Sequence, residues 1–194
     1  MYCCKVLADS INGTPGDRVC TMLVTYPLII HAEFLRHRAF SYSVASNRAI
    51  PTKKLLDKVR DDPFVPEKFP KNGKGMSPNG WLEGIDAEDA SLIWIDARDD
   101  AVTQAVLLHM AGVHKQIANR VLAPFQWVTQ LTTGDDRAYR HFFTLRCHPD
   151  AQQEIQTIAF MMQDAWNTHT PCSKKVGEWH LPFVVNRDTT EQGL

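Results

Sequence analysis

The chain has 194 residues, of which 44% are apolar and 22% charged, and its formal net charge at pH 7 is −1. This size and composition predict one globular domain with a hydrophobic core, and they leave no overall basic charge to attract nucleic acid or an anionic membrane. No apolar run approaches the ~20 residues that span a bilayer, and the first residues lack the basic-then-apolar order of a signal peptide, so we expect a cytoplasmic protein.

The first half of the chain predicts two strands and then two helices: strands at 2–9 and 18–26, helices at 28–38 and 53–61. The turn-forming residues NGTPGD separate the strands. Pro27 suits the first turn of the next helix, and Ile30 and Phe34 form its apolar face with Ile29 beside them. Residues 62–85 hold four prolines and four glycines, which predict a long irregular surface loop.

The second half predicts one strand, four helices and a tail of coil from about residue 170: a strand at 127–133, helices at 87–111, 114–122, 135–146 and 150–166. Asp86 is the expected N-cap of the longest helix. Residues at helical spacing are expected in the core: Leu92, Ile95, Ala101, Val102, Ala105, Val106, His109, Tyr139, Phe142, Phe143, Ile155, Ile158, Met162 and Trp166. The predicted fold class is α+β, with residues 1–194 in a single domain.

One segment concentrates groups that bind anions. Residues 36–48 read RHRAFSYSVASNR, with three arginines and three serines. Guanidinium groups bind phosphate oxygens bidentately, and serine hydroxyls add neutral donors at the same anion. The alternative is a helix end that carries solvated arginines. These arginines could also bind nucleic acid, but the net charge of −1 makes that function less favoured than binding a small phosphorylated ligand.

The spacing of this segment, RHR-x2-S-x4-S-x-R, resembles the signature RHRxxSxNxxSxR of the flavin-dependent thymidylate synthases, the ThyX family. Ser43 stands at the position of the usual asparagine. Two further blocks are similar to that family in the same order, AGVHKQIANRVLAP at 111–124 and LRCHPDAQQEI at 145–155. The sequence segments SNRAIP, HKQIANR and GEWHLP look like those of a shorter branch of the family, which phages often carry.

The resemblance implies a ThyX-like fold, in which an antiparallel sheet packs with a helical bundle and four copies form a homotetramer with active sites between subunits. It implies an FAD enzyme that takes reducing equivalents from NADPH. A methylene group from methylenetetrahydrofolate would become the C5 methyl of dUMP, a pyrimidine deoxynucleotide monophosphate. No enzyme thiol attacks the base in that family, so Cys147 is expected to have a packing role.

The resemblance also assigns residues. FAD would be contacted by Arg36, His37, Arg38, Asp135, Arg137 and His141. The nucleotide would be held by Glu33, Ser46, Arg48, Gln116 and Arg146. Ser46 and Arg146 are the expected catalytic residues, since a fixed cation at Arg146 would stabilise negative charge that develops on the base oxygens. Two alternatives remain: His37 as a spacer packed on the helix, and Arg146 as the ion-pair partner of Glu154.

Several positions depart from the family pattern and leave the substrate base open. Val44 stands where many members have a glutamate, and Gln116 and Asn119 stand where a glutamate and an arginine are common. Arg120 lies one position on and would point about 100° away in a helix. Because Arg146 carries only donors, it suits the O4 acceptor of uracil, so dUMP is preferred. Methylation or hydroxymethylation of deoxycytidylate is the alternative, and a flavin-binding or nucleotide-binding module without turnover is the non-enzyme alternative.

The remaining chemistry-bearing residues predict no metal site. The five cysteines are odd in number and form no CxxC pair, so neither a disulfide framework nor structural zinc is expected. His31 and His109 lie on apolar helix faces and are predicted to be core residues with a hydrogen-bond partner. In the segment EWHLP at 178–182, Trp179 is expected to pack on its own subunit, with closure over an active-site edge as the alternative.

Overall fold

The computed structural model describes residues 1–13, 17–46, 48–74 and 78–183. The strands in these ranges are β1 (Cys3–Ile11), β2 (Arg18–Pro27), β3 (Ser41–Val44), β4 (Trp127–Asp135) and β5 (Cys172–Ser173). The α-helices are α1 (His31–Phe34), α2 (Thr52–Asp61), α3 (Ile85–Met110), α4 (Lys115–Ala118), α5 (Asp136–Arg146) and α6 (Gln153–Thr168). Short 3-10 helices, Leu28–Ile30 and Asn119–Phe125, precede α1 and follow α4.

The strands form one sheet in the order β3-β4-β2-β1-β5. Neighbouring strands are antiparallel, except that β5 runs parallel to β1. Successive side chains of a strand point to opposite faces, and β2 accordingly buries Cys20, Met22, Val24 and Tyr26 on one face. The α+β class is confirmed.

Helices α5 and α6 cover this buried face of the sheet. Their core side chains are those predicted from helical spacing: Tyr139, Phe142, Phe143, Ile155, Ile158, Met162 and Trp166. On the opposite face, threonine hydroxyls pair across the strands, Thr21 with Thr133 at 2.8 Å and Thr25 with Thr129 at 2.9 Å. The face under the helices is mainly apolar and also buries Gln130 and Thr132, and the opposite face carries the threonine pairs with Leu23 and Leu131 between them.

A second, smaller core lies between α2, α3 and the 3-10 helix that follows α4. Its buried side chains are Leu55, Leu56, Val59, Val102, Ala105, Leu122 and Phe125. The Nδ2 group of Asn119 donates to the backbone oxygen of Ile50 at 3.1 Å. This layer fixes the segment 116–123 beside the chain that enters α2.

The helix predicted at 28–38 is much shorter, since α1 ends at Phe34. The backbone N–H groups of Arg36 and His37 bond back only three residues, to Glu33 and Phe34, so the chain tightens into a turn. The Tyr42 hydroxyl holds this turn by donating to the backbone oxygens of Phe34 at 2.9 Å and His37 at 2.7 Å. The basic residues at 36–38 therefore lie in a turn between α1 and β3. The sequence did not predict strand β3.

Two predictions about α3 are wrong. Gly84, with φ 55°, is the N-cap, so the helix begins at Ile85, and Asp86 lies inside the first turn. Leu92 is 63% exposed, and His109 is also exposed. The helix packs on the small core through Val102 and Ala105 in its C-terminal half, with Trp94 and Val106 partly buried against the same core. The segment predicted as one helix at 114–122 divides into α4 and a 3-10 helix that contains Pro124.

The C-terminal segment returns to the sheet through β5 and His180. The two ring nitrogens of His180 lie 2.9 Å from the hydroxyls of Thr21 and Ser10. Trp179 is 73% exposed, so the prediction that it packs on its own subunit is wrong. Its neighbour His180 anchors the segment with polar bonds, which leaves the indole outside. In the described parts of the chain, no helix combines the length and the apolar character of a membrane span.

Candidate active site

A cleft of about 310 Å³ opens between the turn that precedes α1, the segment after β3 and the segment 116–123. Its apolar walls are Leu28, Val44, Ala45, Ala123 and Val128. Its polar side chains are His31, Ser46, Arg48, Gln116 and Arg120, with Asn119 beside them. The volume lies in the range of about 300–1,000 Å³ that small-molecule sites occupy. Three of the residues predicted to hold the nucleotide, Ser46, Arg48 and Gln116, therefore meet at one cleft.

The charged groups of the cleft lie at its rim. Arg48 and Arg120 are exposed, whereas Val128 in the wall is 8% exposed. The Nε group of Arg120 donates to the backbone oxygen of Gln116 at 3.2 Å, and the Oγ atom of Ser46 accepts from the backbone N–H of Arg48 at 3.3 Å. Two guanidinium groups beside an apolar wall suit a ligand that has an anionic end and an apolar ring.

Arg120 is a cleft residue that the sequence did not identify. A regular helix would turn it away from the position that the family pattern uses, but Arg120 lies four residues after Gln116, donates to its backbone oxygen and lines the same cleft. Asn119 is buried and bonds to the backbone at Ile50, while Arg120 faces the cleft. The signal available in the sequence was Arg120 itself, a basic residue two positions before Leu122 in the block that resembles the family.

A second site element is the pair formed by Arg146 and His37. Arg146 is the last residue of α5, and its Nε group donates to the Nε2 atom of His37 at 2.8 Å. The His37 ring is 9% exposed and packs edge-on against Phe142, with ring centroids 4.8 Å apart. Glu154 instead accepts a hydrogen bond from Gln152 at 2.9 Å. The alternative ion pair between Arg146 and Glu154 is therefore absent from these described residues.

His37 is held in its neutral form. Burial, together with the smaller effects of the charges of Arg146 and His141, lowers the pKa of His37 from 6.5 to about 4. A neutral imidazole can accept at one nitrogen, as the bond from Arg146 requires. The ring thus fixes the direction of the guanidinium group at neutral pH.

Four of the residues expected to contact FAD are exposed, in the turn that contains His37 or on α5. Arg36 and Arg38 are exposed in the turn after α1, and Arg137 and His141 are exposed one helical turn apart on α5. His141 is close enough to His37 to affect its pKa, so the turn and α5 adjoin. Guanidinium groups bind phosphate oxygens, so the chemistry of these three exposed arginines suits a pyrophosphate.

Asp135 and Glu33 have more local surroundings. The Oδ1 atom of Asp135 accepts from the backbone N–H of Ala138 at 2.7 Å, so its carboxylate caps α5. Glu33 is half-buried, and its Oε2 atom is buried without a hydrogen-bond partner among the residues that the structure describes. Glu33 does not line the 310 Å³ cleft, and in this single chain neither do Arg146 and His37.

His31 joins the cleft to the interior of the sheet. It is half-buried, and its Nδ1 atom lies 2.8 Å from the Tyr26 hydroxyl. Tyr26 is thus the hydrogen-bond partner that the sequence predicted for His31. It also lines the cleft, three residues after Leu28 on the same turn. Among the described residues, no group of three or more His, Cys, Asp or Glu side chains is placed to hold a metal ion.

Residues 18–172 match the family described as thymidylate synthase complementing protein. The chain is 30% identical over 131 residues to the flavin-dependent thymidylate synthase of Mycobacteroides abscessus, across 66% of this chain and 48% of that protein. It is 30% identical over 135 residues to the enzyme of the same name from Mycolicibacterium vanbaalenii, with the same coverage of 66% and 48%. The chain thus spans about half the length of the curated relatives it matches.

The fold is similar to that of the UMP/dUMP methylase PolB from Streptomyces cacaoi. With the 5-Br UMP-bound structure the TM-score is 0.70 at 18% identity, over 86% of this chain and 88% of the other. With the 5-Br dUMP-bound structure it is 0.60 at 23% identity, over 77% and 65%. At these identities the likeness concerns the fold.

Proposed function

The chain belongs to the family of thymidylate synthase complementing proteins, and from this premise we propose that it methylates dUMP at C5 in a flavin-dependent reaction. The observation that carries the proposal is the cleft in which Ser46, Arg48 and Gln116 meet an apolar wall. The nucleotide phosphate would lie at the rim against Arg48, with Ser46 as a neutral donor, and the pyrimidine would enter toward Val128.

Arg146 would act at the base. His37 holds its Nε group at 2.8 Å, and the terminal nitrogens of the guanidinium would face the ligand. Fixed donors stabilise charge that develops during a reaction without having to reorganise. Arg146 would therefore stabilise negative charge on the base oxygens as C6 is reduced. FAD, when bound beside Arg36, Arg38 and Arg137, would supply the reducing equivalents drawn from NADPH, and methylenetetrahydrofolate would supply the carbon.

We also propose that the protein is a homotetramer whose active sites lie between subunits. Arg146 and His37 lie outside the cleft of their own chain, so a second copy would have to bring its Arg146 there. Large apolar side chains on α3 are exposed and would be covered by such a copy: Leu92, Ile93, Leu107 and Met110.

Mixing two impaired variants, assayed at a dUMP concentration that does not saturate Arg48→Ala, tests this arrangement. Co-expressed Arg48→Ala and Arg146→Ala chains would regain turnover if the two residues of one site come from different copies, because a mixed oligomer then contains intact sites. Turnover that stays absent in the mixture, while light scattering reports a tetramer, would place both residues of a site in one chain and contradict the proposal.

The activity itself is tested by product analysis. Purified protein should bind FAD and be yellow, and the reduced holoenzyme with methylenetetrahydrofolate should convert dUMP to a product with the mass of dTMP. Parallel incubation with dCMP tests the alternative base, which Gln116 in the cleft would accept by rotating its amide. Arg146→Ala should abolish turnover and retain the flavin absorbance. A colourless protein that leaves both nucleotides unchanged would refute the proposed function.

A further inference from the structure

His31 is the end of a chain of hydrogen bonds that begins inside the sheet. The Nε2 group of Gln130, which is fully buried, donates to the Oγ1 atom of Thr132 at 3.0 Å. The Oε1 atom of Gln130 accepts from the Tyr26 hydroxyl at 2.9 Å. The Tyr26 oxygen lies 2.8 Å from Nδ1 of His31. The four side chains therefore connect the centre of β4 to the wall of the cleft.

Counting protons along this chain assigns the tautomer of His31. A tyrosine hydroxyl has one hydrogen, and that of Tyr26 is donated to Gln130. The contact with His31 must then run in the other direction, from Nδ1–H to the tyrosine oxygen. In a neutral imidazole the proton on Nδ1 leaves Nε2 as an acceptor.

The surroundings keep the ring neutral. Burial lowers the pKa of His31 below its ordinary value. The charged residues that line the same cleft, Arg48 and Arg120, are both cations and disfavour a second positive charge there. With Nδ1 bonded to Tyr26, Nε2 lies on the other edge of the ring, and His31 lines the cleft.

We propose that His31 determines which base the cleft accepts, because its Nε2 atom accepts a hydrogen bond from the N3–H group of uracil. This inference rests on the proposed function, in which the nucleotide occupies the cleft. Uracil has one ring N–H free in a nucleotide, at N3, and cytosine has a lone pair there that would face the lone pair of Nε2. The amide of Gln116 can rotate to serve either base, whereas the tautomer of His31 is fixed by Tyr26.

The location of His31 agrees with a base contact more than with a phosphate contact. It lies on the same turn as Leu28 and shares the wall with Val128, while the guanidinium groups of Arg48 and Arg120 are at the exposed rim. An aromatic base is apolar on its faces and polar at its edge, so it suits a wall of this composition. The phosphate remains with the cations.

The test measures binding of dUMP, 3-methyl-dUMP and deoxyribose 5-phosphate to the full chain by calorimetry. Wild type should bind dUMP about 10- to 100-fold more tightly than 3-methyl-dUMP, the range expected when a buried acceptor loses its partner. In His31→Asn, the amide can donate to Tyr26 but is too short to replace Nε2, so this preference should fall close to one. His31→Gln places an amide oxygen near the position of Nε2 and should recover part of the preference. Binding of deoxyribose 5-phosphate should stay the same in all three proteins.

Other outcomes of these binding measurements would refute either the role of His31 or the proposed function. If wild type binds dUMP and His31→Asn retains the same preference over 3-methyl-dUMP, the role of His31 is refuted and the proposed function stands. If wild type binds no dUMP, the proposed function fails, and the role of His31 fails with it. Equal weakening of deoxyribose 5-phosphate in His31→Asn would show a structural role only. The ¹⁵N chemical shifts of the His31 ring give an independent readout, since a protonated Nε2 in the neutral ring would overturn the assignment.

Discussion

His37 should control the rate of the reaction through Arg146, and replacing it by phenylalanine tests this directly. His37→Phe keeps an aromatic ring against Phe142 and removes the acceptor that lies 2.8 Å from Nε of Arg146. A hydrogen bond to a charged group contributes about 1.5–3 kcal/mol. If that energy orients Arg146 for the transition state, kcat should fall about 10- to 150-fold, while KM for dUMP changes much less.

The matched control is His37→Gln, whose amide oxygen can accept from Arg146 in place of Nε2. It should recover part of kcat, which a purely structural role for the ring would not explain. Steady-state turnover of dUMP with reduced holoenzyme gives both constants, and circular dichroism checks the fold. A wild-type kcat in His37→Phe would refute the idea that His37 positions Arg146.

The pH dependence of stability follows from the same pair. Because the pKa of His37 falls from 6.5 in the unfolded chain to about 4 in the folded one, the unfolded state binds more protons between these values. The free energy of unfolding should therefore decrease as the pH is lowered from 6.5 toward 4. The stability that comes from His37 being neutral in both states is fully present above pH 6.5. His37→Phe should show a smaller decrease in urea denaturation, with His31 and His180 present in both proteins. The same slope in both proteins would contradict the shift.

Three further substitutions probe the fold and the cleft. A methyl group at Gly134 would lie 2.5 Å from the Phe40 ring, so Gly134→Ala should lower the free energy of unfolding by about 1–3 kcal/mol in urea denaturation. Asp9 is 4% exposed and bonds Arg18 at 2.6 Å, and Asp9→Asn, which leaves that arginine without its counter-charge, should cost about 3 kcal/mol in the same measurement. Arg48→Ala should weaken dUMP binding about tenfold or more in calorimetry and leave the flavin absorbance unchanged. Wild-type stability in the first two, or wild-type dUMP affinity in the third, would contradict the assigned contacts.

The elements that the sequence predicted well are those whose pattern is local. Strands β1, β2 and β4 contain apolar residues, many of them β-branched in β2 and β4, and α5 and α6 place their aromatic and aliphatic side chains at helical spacing. Such patterns depend only on neighbours within one element.

The errors arose where distant contacts decide the outcome. The helix at 28–38 stops at Phe34, and the turn that follows is held by the Tyr42 hydroxyl, which belongs to the next strand. That strand, SYSV, alternates serine with a larger residue, but the density of arginines around it suggested a binding segment in place of a strand. On α3, apolar residues lie on several sides of the helix, so the sequence alone could not show that Leu92 stays outside.

The candidate site shows the same division between what residue type and what tertiary structure determine. Arginines and serines at the spacing of 36–48 were enough to predict phosphate chemistry, because a guanidinium group is a donor in any environment. The role of a histidine depends on which nitrogen carries the proton. For His31 that is decided by Tyr26 and by Gln130, which lies 104 residues after Tyr26 and accepts its hydroxyl hydrogen through a bond of 2.9 Å inside the sheet. A histidine on an apolar face therefore predicts a buried partner, and only the partner's own hydrogen bonds determine whether the other nitrogen offers a donor or an acceptor to a ligand.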